Sequence, residues 1–261
     1  MHRCGIIICS LVLVCALCGT ALGAEPSRGQ DREGDWSLRV GALGTYRPAY
    51  EGSDDYELKG FPLIDIRWRD RIFVNTRSGV GAYLWNRGGC KLGLAAGYTF
   101  GRDEDASPDL RGMGDIHSGA TAALFFEGSV EDIALTARYE RQITGHGTGG
   151  RLRLGLGYDL RLTEEITVKP SIRTTYATTG YMEEYFGVSP EQSARSGLPA
   201  YDADAGFTSL GAAVTMLYRL NNHWGMQATA GCTRLVGDAA DSPVVKTKDQ
   251  YPLSIGLSYS F

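Results

Sequence analysis

Beyond the N-terminal segment, three side chains can move a proton near neutral pH: His117, His146 and His223. His146 lies among glycines in GHGTGG, with Glu140 and the acids of other loops as possible partners, but no serine near it stands in a recognisable nucleophile setting. His117 opens a segment beside Asp115 at a spacing common by chance, and His223 falls in the tight turn NNHW, where an interfacial polar residue is the plainer reading. Acids gather in four sets: Glu51, Asp54 and Asp55; Asp103, Glu104 and Asp105; Asp202 and Asp204; Asp238 and Asp241. Carboxylate clusters hold divalent cations through oxygen, but none of these has the spacing of a calcium loop, so solvated loop charge is expected. Arg138, Glu140, Arg151, Arg153, Asp159, Arg161, Lys169 and Arg173 lie on consecutive segments and read as a paired interior network rather than a substrate site. No catalytic, metal or cofactor set results, and a non-enzymatic protein without a cofactor is expected.

The elements that carry these residues are strands. From Tyr251 to Phe261, Tyr251, Leu253, Ile255, Leu257, Tyr259 and Phe261 share one face, while Pro252, Ser254, Gly256, Ser258 and Ser260 share the other. The alternation recurs: Leu152, Leu154, Leu156 and Tyr158 oppose Arg151, Arg153, Gly155 and Gly157, and Ile166, Val168 and Ile172 oppose Thr167, Lys169 and Arg173. A soluble sandwich also alternates, but three features favour an outer-membrane β-barrel. The segments run about 10 to 13 residues, the length of a tilted membrane strand. Trp36, Tyr46, Trp68, Trp85, Tyr98, Tyr176, Trp224, Tyr251 and Phe261 sit near segment ends, where interfacial girdles form. The non-apolar face carries Arg, Lys, Asp and Glu among glycines, which suits a wet lumen. A net charge of −4 gives no reason to expect a nucleic-acid partner.

Connections alternate long and short back from Phe261. Since such barrels keep short turns in the periplasm, the 181–206 stretch faces outward and the C-terminus ends in the periplasm. Twelve antiparallel strands are expected, with a break at Thr76-Arg77-Ser78-Gly79; ten is the alternative. Residues 1–23 read as a signal peptide for Sec export with Ala21-Leu22-Gly23 as cleavage box, residues 24–35 as a charged periplasmic arm, and residues 36–261 as the barrel. Cys90 and Cys232 fall on strands five and eleven, not neighbours, so no bridge between them is expected. The alternate apolar residues Ile255, Leu257, Tyr259 and Phe261 at the end form the signature by which the barrel-assembly machinery takes up such strands.

The stretch YMEEYFGVSPEQSARSGLPAYDADAG departs from alternation. Ser189-Pro190-Glu191-Gln192 is a capping box with proline at the first helical position, Gly197 ends the helix, and Leu198-Pro199 prevents its return. A two-turn helix over Pro190 to Ser196 is therefore expected in this outer loop, packed over the barrel mouth by Tyr181, Tyr185 and Phe186. The stretch, with NNHW, RLVGDAADSPVV and the earlier PAYEGSDDYELKGFPLIDIRWRDRIFV, resembles the MipA/OmpV family of Gram-negative outer-membrane proteins. The motif positions that carry the resemblance in the loops are Tyr185, Phe186, Gly187, Val188, Ser196, Gly197, Leu198, Tyr201, Gly237, Asp238, Asp241, Ser242 and Pro243. The resemblance implies an outer-membrane, lipid-embedded scaffold linking a lytic transglycosylase to a peptidoglycan synthase, and it supplies no catalytic residues. A small channel or an adhesin is the alternative it leaves open.

Overall fold

The computed structural model describes residues 35–145 and 149–261; the signal-peptide segment, most of the charged arm, and His146 lie outside the described residues. The strands are β1 (Trp36–Pro48), β2 (Tyr56–Trp68), β3 (Ile72–Asn75), β4 (Gly79–Arg87), β5 (Cys90–Thr99), β6 (Gly119–Val130) and β7 (Ile133–Gln142). There follow β8 (Gly150–Tyr158, continued by Leu160–Arg161), β9 (Ile166–Ala177), β10 (Gly206–Arg219), β11 (Trp224–Leu235) and β12 (Asp249–Gln250, continued by Leu253–Ser260). Each pairs antiparallel with the next, and β1 pairs with β12 from Arg39↔Ser260 to Tyr46↔Leu253, closing a barrel of twelve strands. Closure removes every long sheet edge but one, and it excludes the sandwich.

The alternation explains the two faces. Leu154, Leu156, Ile172, Leu210, Val214, Leu253, Ile255 and Leu257 are exposed on the outside, as a lipid-facing wall requires. Trp36 and Trp68 meet at 6.3 Å at the periplasmic rim, with Trp224, Tyr259 and Phe261 beside them; Tyr46 stacks on Tyr56 at 5.0 Å near the outer rim, as Tyr176 meets Phe207 at 5.4 Å. Inside, Phe73, Tyr83 and Phe125 form an edge-to-face cluster beside Ala95 and Ala123 that fills one side of the lumen. The wall makes room for it with glycine: a Cβ on Gly81 would stand 2.2 Å from the Phe73 ring. Cys90 and Cys232 lie on the non-adjacent β5 and β11.

Two expectations are corrected. Strands are not uniformly long: β3 has 4 residues and β4 has 9, because Thr76-Arg77-Ser78 turns the chain early. The outer loops hold more than one helix. Besides α2 (Pro190–Ser196), with its capping box and Gly197 left-handed at φ 78°, there are α1 (Thr179–Phe186) and α3 (Gly237–Asp241). Helix α1 has apolar residues at 181, 182, 185 and 186, a stripe too brief to read as helical between a strand and a capped helix.

Candidate functional site

The outer loops form a compact cap rather than independent connections. Ala177, Tyr181, Met182, Phe186, Leu235, Ala239 and Ala240 make one buried cluster; Tyr50, Leu110, Met113, Val188 and Val244 make a second, and Tyr201 packs against both. Phe186, Met182, Leu110 and Val244 are wholly buried, which is unusual for loops. Polar ties fix the pieces. The Ser242 hydroxyl donates to the Phe186 carbonyl at 2.6 Å and accepts from the Val244 N–H at 3.2 Å, and the Tyr201 hydroxyl donates to the Asp238 carbonyl at 2.9 Å. Val188 and Tyr201 exchange backbone hydrogen bonds at 2.8 and 2.9 Å across the α2 loop. The Tyr50 hydroxyl donates to the Val244 carbonyl at 3.1 Å, and burial, reinforced by Asp109, pushes its pKa up to about 12.

Helix α1 fits into the mouth itself. Tyr181 and Tyr185 stack at 4.3 Å, the Arg151 guanidinium donates to the Tyr181 hydroxyl at 3.0 Å, and Arg102 donates to the Tyr185 carbonyl at 2.8 Å. A Cβ on Gly149 would stand 2.1 Å from the Tyr181 nitrogen, so only glycine lets β8 approach the helix this closely. Burial raises the Tyr181 phenol above its usual range.

Beneath the cap, Glu140 is a hub. It accepts from Arg138 at 3.1 Å, Arg151 at 3.1 Å and Arg153 at 3.2 Å. Glu51 descends from the first outer loop toward Arg151 and Arg153; burial raises its pKa, and the two guanidinium groups only partly oppose this. The expected interior network is thus two separate groups, with Asp159–Lys169 at 2.6 Å as the second, while Arg173 and Arg161 stand outside both.

The motif residues, scattered in sequence over Tyr185–Tyr201 and Gly237–Pro243, come together at this cap. Asp238 accepts from the Asp204 N–H at 3.0 Å, and Asp241 pairs with Lys248 at 2.9 Å. Most acids of the four sets are exposed, as solvated loop charge requires, but some of them, and Asp109 outside those sets, also hold the loops together. Asp103 accepts from the Asp105 N–H, Glu104 accepts from Gly112 and Gly114, and Asp109 pairs with Lys246 at 3.2 Å, so these carboxylates satisfy loop backbone and tie loops together. His223 places Nδ1 3.0 Å from the Ser260 carbonyl and stacks on Tyr259 at 5.2 Å, a structural role at the periplasmic rim. His117 precedes β6, which begins at Gly119, rather than opening it. Ile255, Leu257 and Tyr259 lie on the outer face of β12, with Phe261 donating its N–H to the Leu38 carbonyl at 3.0 Å. Among the described residues no group of three or more His, Cys, Asp or Glu could hold a metal ion. Sequence reading missed Tyr50, Arg102, Leu110 and Met113; they belong to loops whose apolar residues show no period, and no local signal marks them.

A family model described as "MltA-interacting protein MipA" matches residues 40–261. The chain is 28% identical over 233 residues to the MltA-interacting protein of Escherichia coli K12, covering 88% of this chain and 91% of that protein. It is 23% identical to outer membrane protein OmpV of Vibrio cholerae, covering 88% of each. Among solved structures, the NanC porin aligns with a TM-score of 0.47 at 12% identity, over 86% of this chain and 100% of that one.

Proposed function

The chain belongs to the MltA-interacting protein MipA family, and from that premise we propose that it is a non-enzymatic scaffold of the Gram-negative outer membrane that docks a lytic transglycosylase, and through it a peptidoglycan synthase, at its periplasmic rim. The observation that carries this reading is the near full-length similarity to a protein named for such an interaction. The geometry agrees with it. The outer mouth carries a packed cap, and among the described residues it gathers there is no nucleophile–base pair; a peptidoglycan enzyme works in the periplasm, so the periplasmic rim is the surface this reading uses.

That rim is small but shaped. Arg69 and Asp70 are both left-handed, at φ 48° and 49°, in the β2–β3 turn, a conformation costly for residues other than glycine. Asp35 holds Arg69 there with two bonds of 2.7 Å, and the guanidinium lies 5.3 Å from the Trp68 ring. Glu131, left-handed at φ 52°, with Asp132, Glu164 and Glu165 adds acidic turns along the same rim. Such charges favour polar, steerable docking over an apolar interface. Crosslinking of intact envelopes followed by capture of the tagged full-length chain tests the reading: enrichment of a lytic transglycosylase is expected, and capture without any murein enzyme would count against it.

A second reading, passage of anionic solutes, is favoured by the water-exposed lumen arginines Arg39, Arg153 and Arg173. Planar-bilayer recordings separate it from the first: anion-selective conductance is expected of a channel, and its absence would remove this reading.

A further inference from the structure

The early turn of β3 leaves a window in the barrel wall. Hairpin β3–β4 reaches only to the level of Ile64 on β2, whose carbonyl accepts from Thr76 at 3.0 Å and whose N–H donates to the Thr76 hydroxyl at 3.0 Å. Above this level β2 continues to Tyr56, paired with β1 alone, and no pairing joins it to β5. Strand groups alternate in direction, so Leu58, Gly60 and Pro62, in phase with Ile64, turn theirs into the opening. No described side chain bonds to them, and a Cβ on Gly60 would meet nothing within 4 Å. Residues 56–63 thus offer roughly 25 Å of strand edge. The opposite side is the top of β5, where Tyr98 and Thr99 rise beyond the last β4 partner, Ala96. The roof is the cap: the Ser107 hydroxyl lies 3.5 Å from Asp55, and Lys246 pairs with Asp109.

The window runs from the outer aromatic rim, where Leu58 pairs with Tyr46, inward to Ile64, and unpaired backbone facing hydrocarbon is costly in its lower part. Its frame is apolar outside and cationic inside. Leu58 and Phe100, 78% and 80% exposed, flank it, with Val80 below. On the lumen side, Arg47 of β1 and Lys59 of β2 share the single carboxylate of Glu57 at 3.2 and 2.9 Å, a local surplus of positive charge below Asp55 of the roof. Arg77 stands exposed in the 76–78 turn that forms the sill, adding a further positive charge to the frame.

We propose that this window is a lateral binding site for a single-chain amphipath with an anionic head, its tail lying in the outer leaflet along Leu58, Val80 and Phe100, and its carboxylate or phosphate meeting Lys59 and Arg77 behind the wall. A polar head at this point also satisfies the free N–H groups of Leu58 and Gly60. Addition of a strand from a partner protein fits less well, because Pro62 has no N–H to donate and the lower part of the edge is at bilayer depth.

The test uses the full-length chain in phospholipid nanodiscs with two photoreactive probes of equal chain length, a palmitate and a hexadecanol, and maps the adducts by mass spectrometry. Palmitate adducts are expected to concentrate on residues 56–63, 77–80 and 97–100, about fivefold above hexadecanol, the factor for a modest ion pair. Lys59→Ala with Arg77→Ala should reduce the palmitate yield to the hexadecanol level, and Lys59→Arg with Arg77→Lys should restore it. Adducts spread evenly around the belt, equal labelling by both probes, or an unchanged yield in the alanine pair would overturn the proposal. Retention of the compact form on unheated gels checks that the variants fold; if the alanine pair does not, the contrast between the two probes on the native chain decides.

Discussion

The cap is a folded unit resting on a barrel, so it should open without the barrel unfolding, and Phe186→Ala measures this. Phe186 is wholly buried against Met182, Leu235 and Ala239, while its carbonyl, which accepts from Ser242, survives the substitution. Truncating a buried Phe to Ala costs about 3–5 kcal/mol through lost transfer energy and the cavity left behind. The barrel enters these contacts only through Leu235 at the outer end of β11, so most of the loss falls on the closed state of the cap. At about 1.4 kcal/mol per factor of ten, the open population rises roughly 100-fold to several thousandfold. Tryptic cleavage after the exposed Arg195 of α2 reports it, because cleavage follows the open population when reclosing is fast. The variant should be cut at least about 100-fold faster than the native chain while the heat-resistant barrel band is unchanged. Equal rates within a factor of two would refute the packed cap, and simultaneous loss of the barrel band would refute its independence.

Three further outcomes follow from the geometry. Glu140→Ala leaves Arg138, Arg151 and Arg153 together without their shared carboxylate, and should lower barrel stability by about 3 kcal/mol in urea unfolding followed by tryptophan fluorescence; a change under 1 kcal/mol would contradict the hub. For Glu51, burial raises the folded-state pKa, so its contribution is complete below the ordinary value of 4.5 and is lost as pH rises through the raised one. Glu51→Gln should therefore slow hydrogen exchange of α1 amides at pH 7.5 and leave it unchanged at pH 3.5, and the opposite pH order would contradict the buried carboxyl. Deletion of Phe261 should cut the assembled fraction in cells about tenfold through the terminal assembly signal, while refolding in detergent loses much less, since its N–H bond to Leu38 and its ring contact with Tyr259 are each worth about 1 kcal/mol; equal assembly would show that the terminus is merely a last strand.

The barrel was legible because a membrane wall leaves its period in the sequence. Leu253, Ile255 and Leu257 must meet lipid while Ser254, Gly256 and Ser258 meet the lumen, so phase alone places them. The turn at Thr76–Gly79 was legible as a break in the β3–β4 segment, but its consequence was not: a short hairpin opens a window only when the register of β2 and β5 is known. Helix α2 showed itself through Ser189, Pro190 and Gly197, whose roles are local. The cap did not, because Tyr50, Leu110, Val188 and Val244 lie on four loops and their contacts depend on barrel closure. One acid misled for the same reason. Glu51 looks like any loop carboxylate until the fold aims it at Arg151 and Arg153.

Docking at the periplasmic rim is the claim on which the function rests. Its most direct measurement is the affinity of a purified lytic transglycosylase for the full-length chain in nanodiscs, compared with two variants: Phe186→Ala in the cap, and Arg69→Ala paired with Glu131→Ala in the periplasmic turns. Binding is predicted to be unchanged by the cap variant and weakened about tenfold or more by the turn variant, as expected when charges at a small polar interface are removed. No binding to the native chain, or weakening by the cap variant alone, would contradict the account.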